Sequence, residues 1–227
     1  MQKRAANTRE AILKGAATVF IARGFSGTSL SDVMAAAHVT KGSLYFHFQS
    51  KEELALAVIA AQHAASTAIG ADLFDPAIPG LRAFITLTAR YALQMLADPL
   101  VRAGIRLTME AASYTEPIID PYLDWINAGE ILLSRAQAAG EISSDVDVRK
   151  VAHFIVPTFT GIQLLSDVLT SHLDLYQRVR EMWEIVIPAL VHPGDVEQWC
   201  RTVSDIMDEV SAENLVEGTT QLPVSGM

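Results

Sequence analysis

The chain has 227 residues, half of them hydrophobic, which is enough for a sizeable core in one or two domains. Its single cysteine, Cys200, excludes an intramolecular disulfide and a cysteine metal cluster. The formal net charge is −9, but residues 1–50 carry six basic and two acidic residues, so a basic head on an acidic body predicts phosphate contacts at one end only.

The first two predicted helices carry local start signals, and the first also carries a stop signal. The first begins at Asn7 or Thr8 and ends at Gly24, a residue suited to a helix C-terminus. The second follows Ser29, whose hydroxyl forms a capping box with the carboxylate of Asp32. Apolar residues recur on one face of each helix, so both should pack into a common core.

A third short helix begins after Thr40, another N-cap candidate. Leu44 and Phe48, four residues apart, should face the core, and we assign Phe46 to the core as well. A short amphipathic helix held by another, with small, hydroxyl, aromatic and cationic groups outward, is what a helix-turn-helix places in the DNA major groove. The predicted DNA contacts are Thr28, Ser29, Thr40, Lys41, Gly42, Ser43, Tyr45, His47 and Lys51.

The rest of the chain predicts helix after helix. Ser50 and Glu53 form a second capping box that opens a fourth helix, and residues 72–80 contain two prolines that predict a loop. Six body helices should follow, at 81–96, 100–113, 117 or 121 to 139, 147–172, 175–191 and 195–210. Residues 211–227 are polar and predict a disordered tail.

These elements predict an all-α protein with two domains. We expect a helix-turn-helix DNA-binding domain over residues 1–50 and a helical ligand-binding and dimerisation domain over residues 51–210. The charged N-terminus has no apolar run of signal length, and no eighteen continuous apolar residues occur. We therefore expect a cytoplasmic protein that does not span a membrane.

Several motifs resemble one family. The residues T-K-G-S-L-Y-F-H-F followed by Lys51 resemble the recognition helix of the TetR family of bacterial repressors, and T-R-E-A-I-L and G-F-S-G-T-S-L-S-D-V resemble its first two helices. The rest resembles the γ-butyrolactone-receptor branch through the YFHF run, Trp125 and the FTGIQLLS segment. The resemblance implies a homodimer joined by a four-helix bundle of helices 147–172 and 175–191, palindromic operator DNA, and a lactone or butenolide autoregulator that controls secondary metabolism.

The body carries no catalytic arrangement, phosphate loop or metal motif, so we expect no enzyme, cofactor or metal. Its apolar helices with few polar groups are typical of an apolar pocket. The resemblance implies that Trp125 covers the ligand. Thr158, the polar member of an aliphatic stripe, either donates to a ligand carbonyl or bonds back to the preceding turn. The other candidate ligand contacts are Gln62, His63, Tyr91, Met95 and Leu107.

Three alternatives stay open at this point. The first is a TetR-type repressor of a different apolar ligand, a drug or a fatty acyl compound. The second is a pseudo-receptor that binds no lactone. The third is a helical interaction protein whose head binds another protein.

Overall fold

The structure is a computed structural model that describes residues 2–220, with side chains for residues 3–214. Over those residues the regular structure is helical, which confirms the all-α prediction. The helices are α1 (Gln2–Arg23), α2 (Leu30–Ala37), α3 (Lys41–His47), α4 (Lys51–Ala68), α5 (Gly80–Ala97), α6 (Pro99–Glu110), α7 (Asp120–Ala138), α8 (Val148–Thr170), α9 (Leu175–Leu190) and α10 (Val196–Thr220). Short 3₁₀ turns cover Ala71–Phe74 and Ala111–Ser113.

The described residues form two compact units. Unit 1 comprises the chain up to Ala68 together with Gln94–Pro121, and unit 2 comprises Ile69–Leu93 and the residues from Tyr122 onward. Unit 1 therefore extends beyond the predicted head of residues 1–50. The reason is that α4 and α6 pack against α1 and share its apolar core.

The core of unit 1 joins the first three helices to α4 and α6. Ile12, Phe20, Val33, Leu44 and Phe48 are buried as the helical spacing predicted. Leu54 and Val58 of α4 and Leu107 of α6 belong to the same cluster. Burial of these side chains is the main stabilising term of the unit.

Unit 2 contains most of α5 and α7 and the helices α8 to α10. The indole of Trp183 on α9 is fully buried, stands edge-on to Phe84 on α5, and donates a hydrogen bond to the Thr88 hydroxyl at 2.7 Å. Buried tryptophans usually retain a polar partner for the ring N–H, as Trp183 does here.

The α8–α9 turn is closed by the Asp174 carboxylate, which accepts a hydrogen bond from the Thr170 hydroxyl at 2.7 Å.

Two helix ends differ from the sequence predictions. Helix α1 begins at Gln2, and the hydroxyl of Thr8 donates to the carbonyl of Arg4 inside the helix rather than capping it. The alanines and basic residues before Thr8 are good helix formers, so the helix extends towards the N-terminus. Helix α10 continues to Thr220, so residues 211–220 are helical where a tail was predicted, and residues 221–227 lie outside the described residues.

Helix α8 continues through Pro157 and is apolar on more than one side. By length and composition alone it could cross a bilayer, although the core helices of soluble proteins pass the same test. Only 28% of the 18-residue apolar stretch of this helix is buried inside the chain. A large apolar surface on this helix is therefore exposed.

Candidate nucleic-acid interface and ligand site

The turn between α2 and α3 is fixed by side-chain caps on both helices. The Ser29 hydroxyl accepts from the backbone N–H of Asp32, and the Asp32 carboxylate accepts from the backbone N–H of Ser29, so the predicted capping box is confirmed. Thr40 caps α3 by accepting from the backbone N–H of Ser43 at 3.2 Å. His38 takes the left-handed conformation, φ 53°, that ends α2. Local hydrogen bonds thus set the direction of α3.

Helix α3 has a buried side and an exposed side. Leu44 and Phe48 are buried in the core of unit 1. Lys41, Gly42 and Tyr45 are exposed, while Ser43 and His47 are half-exposed. The structure therefore places five predicted contact residues on one accessible surface, which we call the reading surface: Lys41, Gly42, Ser43, Tyr45 and His47.

One apolar residue is also on the exposed side of α3. Phe46 was assigned to the core, but 76% of its surface is exposed, so that assignment is wrong. The reason is the direction of its side chain. Phe46 lies two residues after Leu44, which is about 200° around a helix, so its side chain points away from the core that buries Leu44. We therefore add Phe46 to the reading surface.

Two predicted DNA contacts are instead bonded within the chain. Thr28 is 4% exposed and its hydroxyl donates to the carbonyl of Gly24 at 2.7 Å. The ammonium of Lys51 donates to the carbonyls of Phe25 at 2.8 Å and Thr28 at 2.9 Å, and lies 4.2 Å from the centre of the Phe25 ring. These contacts hold the corner between α1 and α2 and engage both side chains within unit 1.

Ser29 is exposed, but its hydroxyl donates to the Asp32 carboxylate at 2.6 Å. The two hydrogen bonds from Ser29, and then the Arg23 guanidinium, lower the pKa of Asp32 below its usual value. An ionised carboxylate therefore already occupies the N-terminus of α2. A DNA phosphate at Ser29 would meet this negative charge, which argues against the predicted contact.

Unit 1 also carries exposed basic residues. All six Lys and Arg residues of the first 50 are exposed: Lys3, Arg4, Arg9, Lys14, Arg23 and Lys41. Lys14 forms an ion pair with Glu10 at 2.7 Å, and Arg23 forms one with Asp32 at 2.9 Å. The ammonium of Lys41 lies 5.8 Å from the centre of the Tyr45 ring. Exposed cations whose charge is not compensated by a neighbouring acid, unlike those of Lys14 and Arg23, supply the phosphate attraction that positions a protein on DNA.

Three aromatic rings stack inside unit 2. Tyr91 on α5 lies 5.0 Å from Trp125 on α7 and 5.5 Å from Phe159 on α8, with interplanar angles of 29° and 21°. We call these three residues the aromatic stack. The stack brings together two predicted ligand contacts, Tyr91 and Trp125, and adds Phe159. In the sequence, Phe159 lies off the main apolar stripe of its helix, and this position was the signal that could have identified it.

The polar groups near the interior of α8 differ from the prediction. The hydroxyl of Thr158 donates back to the carbonyl of Phe154 at 2.7 Å, so the second of its two open readings applies. The buried polar residues of this helix are instead Gln163 and Ser166. Gln163 lies four residues after Phe159 and therefore on the same buried side, a spacing that the sequence does show.

The remaining ligand candidates lie in unit 1. Gln62 is buried and donates to the Ser66 hydroxyl at 3.1 Å, and that hydroxyl donates to the side-chain oxygen of Gln94 at 2.9 Å. Met95 and Leu107 are fully buried core residues, and His63 is half-buried on α4. Gln62 therefore belongs to an internal hydrogen-bond network that joins α4 to the end of α5.

Comparisons with known proteins agree with this architecture. Residues 12–58 match the model of bacterial regulatory proteins of the tetR family, and residues 78–192 match the tetracyclin repressor-like C-terminal domain. The A-factor receptor protein of Streptomyces griseus is 35% identical over 193 residues, which cover 85% of this chain and 67% of that protein.

Two solved structures are similar over almost the whole chain. A gamma-butyrolactone receptor described as ArpA-like is 31% identical with a TM-score of 0.75, covering 91% of this chain and 98% of its own. CprB from Streptomyces coelicolor, in complex with its biological operator sequence, is 33% identical with a TM-score of 0.76, covering 90% and 98%. The chain therefore belongs to the TetR family of bacterial regulators of transcription, which bind operator DNA and small-molecule ligands and are not enzymes.

Proposed function

We propose that this chain is a repressor that binds a palindromic operator as a homodimer and is released by a small γ-butyrolactone or butenolide. The observation that carries the proposal is the reading surface, in which Lys41, Gly42 and Tyr45 face outward while Leu44 and Phe48 hold α3 to the core. The similarity to the A-factor receptor protein and to a gamma-butyrolactone receptor supports the ligand class.

A second copy of the chain is the partner that we propose for the apolar surface of α8. Large apolar side chains there are exposed: Phe154 by 57%, Leu165 by 55% and Val168 by 72%. Residues 154, 158, 161, 165 and 168 alternate in steps of four and three, the spacing of a helix–helix seam. Nothing lies within 4 Å of the position that a Cβ on Gly161 would take, which leaves room for another helix.

Helix α9 continues this apolar surface. Ile185 is exposed on α9, which packs against α8 in unit 2. If a two-fold axis relates two chains, α8 and α9 of each chain would form a four-helix bundle that covers the apolar surfaces of both helices. A dimer also supplies two reading surfaces, so half-sites should lie about 34–36 Å apart, or a multiple of it, along the DNA.

We propose that the lactone packs against the aromatic stack of Tyr91, Trp125 and Phe159. A flat ring offers a large apolar contact area to a small cyclic ligand, and half-buried Trp125 retains an accessible part of its surface. Gln163, buried on α8, offers amide donors on the same helix as Phe159. Pockets that bind small molecules combine mainly apolar walls with a few polar groups in this way.

Release requires the ligand to prefer a conformation that does not bind the operator. Moving a population from 1:99 to 99:1 takes about 5.5 kcal/mol of differential binding. The test has two steps: random duplexes are selected with the full-length protein, and the enriched duplex is then titrated with synthetic γ-butyrolactones and butenolides. We expect a palindromic duplex that lactones release. Enrichment without release by any lactone would favour a different apolar ligand or a pseudo-receptor, and no enrichment would favour a protein-binding head.

A further inference from the structure

The exposed phenyl ring of Phe46 has no role in the contacts described above. It stands at the centre of the outer side of α3, opposite Leu44 and Phe48, and is 76% exposed. Its ring lies edge-on to the ring of His47, with centroids 5.0 Å apart. A large apolar group held outward on a helix that binds DNA indicates an apolar partner, because exposure of such a group to water is unfavourable.

The position one helical turn before this ring carries no side chain. Gly42 is one helical turn before Phe46 and is exposed, and nothing lies within 4 Å of the position of an added Cβ. Side chains on a helix lean towards its N-terminus, so the Phe46 side chain leans over the turn that contains Gly42. A group that approaches α3 from outside can therefore reach the face of the ring without meeting another side chain at position 42.

The major groove offers one apolar group. Its base edges present hydrogen-bond donors and acceptors, and only thymine adds a methyl group, at C5. A phenyl ring has no donor or acceptor and would remove water from polar base edges without replacing their hydrogen bonds. Contact of the Phe46 ring is therefore most favourable with thymine among the four bases.

We propose that Phe46, with the open space at Gly42, recognises the C5-methyl group of a thymine in each operator half-site and so determines sequence specificity at that base pair. The inference rests on the proposed function, because it requires α3 to enter the major groove. Burial of one methyl-sized group corresponds to about a four-fold gain in affinity. Two symmetric half-sites multiply this gain to roughly fifteen-fold.

The test removes the methyl group alone. The operator is the duplex that the full-length protein enriches from a random pool, and each symmetric pair of thymines is replaced by deoxyuridine, which lacks only the C5-methyl group. Fluorescence anisotropy gives the affinity of the wild type, Phe46→Ala and Phe46→Leu for every duplex. We expect one pair of thymines whose replacement by deoxyuridine lowers the DNA affinity of the wild type by roughly fifteen-fold. The same replacement should lower the affinity of Phe46→Leu to a lesser degree and leave the affinity of Phe46→Ala unchanged.

The outcomes separate the two proposals. If a duplex is enriched but Phe46→Ala keeps the full deoxyuridine penalty at every thymine, the methyl contact is overturned while operator binding stands. If no thymine shows a penalty in the wild type, the contact is overturned as well. If no duplex is enriched, the proposed function fails and this inference fails with it. Because Phe46 is exposed, both variants should keep the wild-type melting temperature, which is measured alongside.

Discussion

The backbone N–H of Phe25 donates to the carboxylate of Glu110 at 2.7 Å, which joins the α1–α2 corner to the C-terminal end of α6. Arg106 reinforces the contact by donating to Glu110 at 2.8 Å and to the carbonyl of Ile21 at 2.6 Å. Gly24 at this corner has φ +66°, and a Cβ there would lie 2.8 Å from the same carboxylate. The corner that carries the helix-turn-helix is thus held by a charged group of another helix in unit 1.

Glu110→Ala should loosen this corner. The N–H of Phe25 would lose its partner in a half-buried place, which costs about 1–3 kcal/mol. We expect a lower free energy of unfolding by about that amount in urea titrations, together with weaker operator binding. Glu110→Gln keeps an acceptor oxygen and should lose less of both. Equal stability of the alanine variant and the wild type would show that the corner does not depend on this bond.

Leu165→Glu should convert the proposed dimer to a monomer. A carboxylate in the middle of the α8 seam would have to be buried without a partner, which strongly opposes association. The matched control is Leu123→Glu, since Leu123 is similarly exposed but lies on α7. Sedimentation equilibrium should give a monomer mass for the first variant and a dimer mass for the second. Dimers in both would place the subunit contact elsewhere.

Trp125→Ala should abolish the response to lactone while operator affinity stays within two-fold of the wild type. The substitution removes one wall of the aromatic stack, whereas the reading surface lies on α3. The control is Trp199→Phe on α10. Lactone-dependent release from a labelled operator is the measurement. A normal response from the alanine variant would remove the stack from the ligand site.

The α8–α9 turn should depend on pH through Asp174. Hydrogen bonds from Ser166 and Thr170, and then from Arg178, lower the pKa of this carboxyl below its usual value. A lowered folded-state pKa contributes stability that is fully present above the unfolded value of about 4 and is lost as pH falls towards the folded value.

The Asp174→Asn variant tests this pH dependence. Its free energy of unfolding, from urea titrations at pH 7, 5 and 3.5, should lie below that of the wild type by nearly the same amount at pH 7 and pH 5. The gap should narrow as the pH falls below 4. A constant gap across the series would mean that the charge of Asp174 does not stabilise the fold.

Local signals in the sequence predicted the helix-turn-helix well. The caps at Ser29 and Thr40 each join residues three positions apart, so spacing alone identifies them. Phe46 was misassigned because an aromatic residue suggests burial, whereas its angle from Leu44 determines exposure. Periodicity was the better guide at that position.

Residues whose roles depend on distant partners could not be assigned in this way. Lys51 contacts carbonyls 23 and 26 residues earlier in the chain, and no spacing rule gives that contact. Trp183 meets Thr88 across 95 residues. The ligand side was harder for the same reason, since Tyr91, Trp125 and Phe159 come from three helices that only the tertiary fold brings together.

The most direct test of the account is an anisotropy titration of the enriched palindromic duplex with the wild type, Lys41→Ala and Lys14→Ala. Lys14 is an exposed, ion-paired lysine on α1 and serves as the matched control. We predict two chains per duplex, and a binding constant whose logarithm falls linearly with the logarithm of the salt concentration. Lys41→Ala should lose roughly ten-fold or more, because a good base contact is worth about 1–3 kcal/mol, while Lys14→Ala stays close to the wild type. Equal affinity for a scrambled duplex, or no loss on removal of the Lys41 ammonium, would contradict the assignment of α3 as the helix that recognises operator DNA.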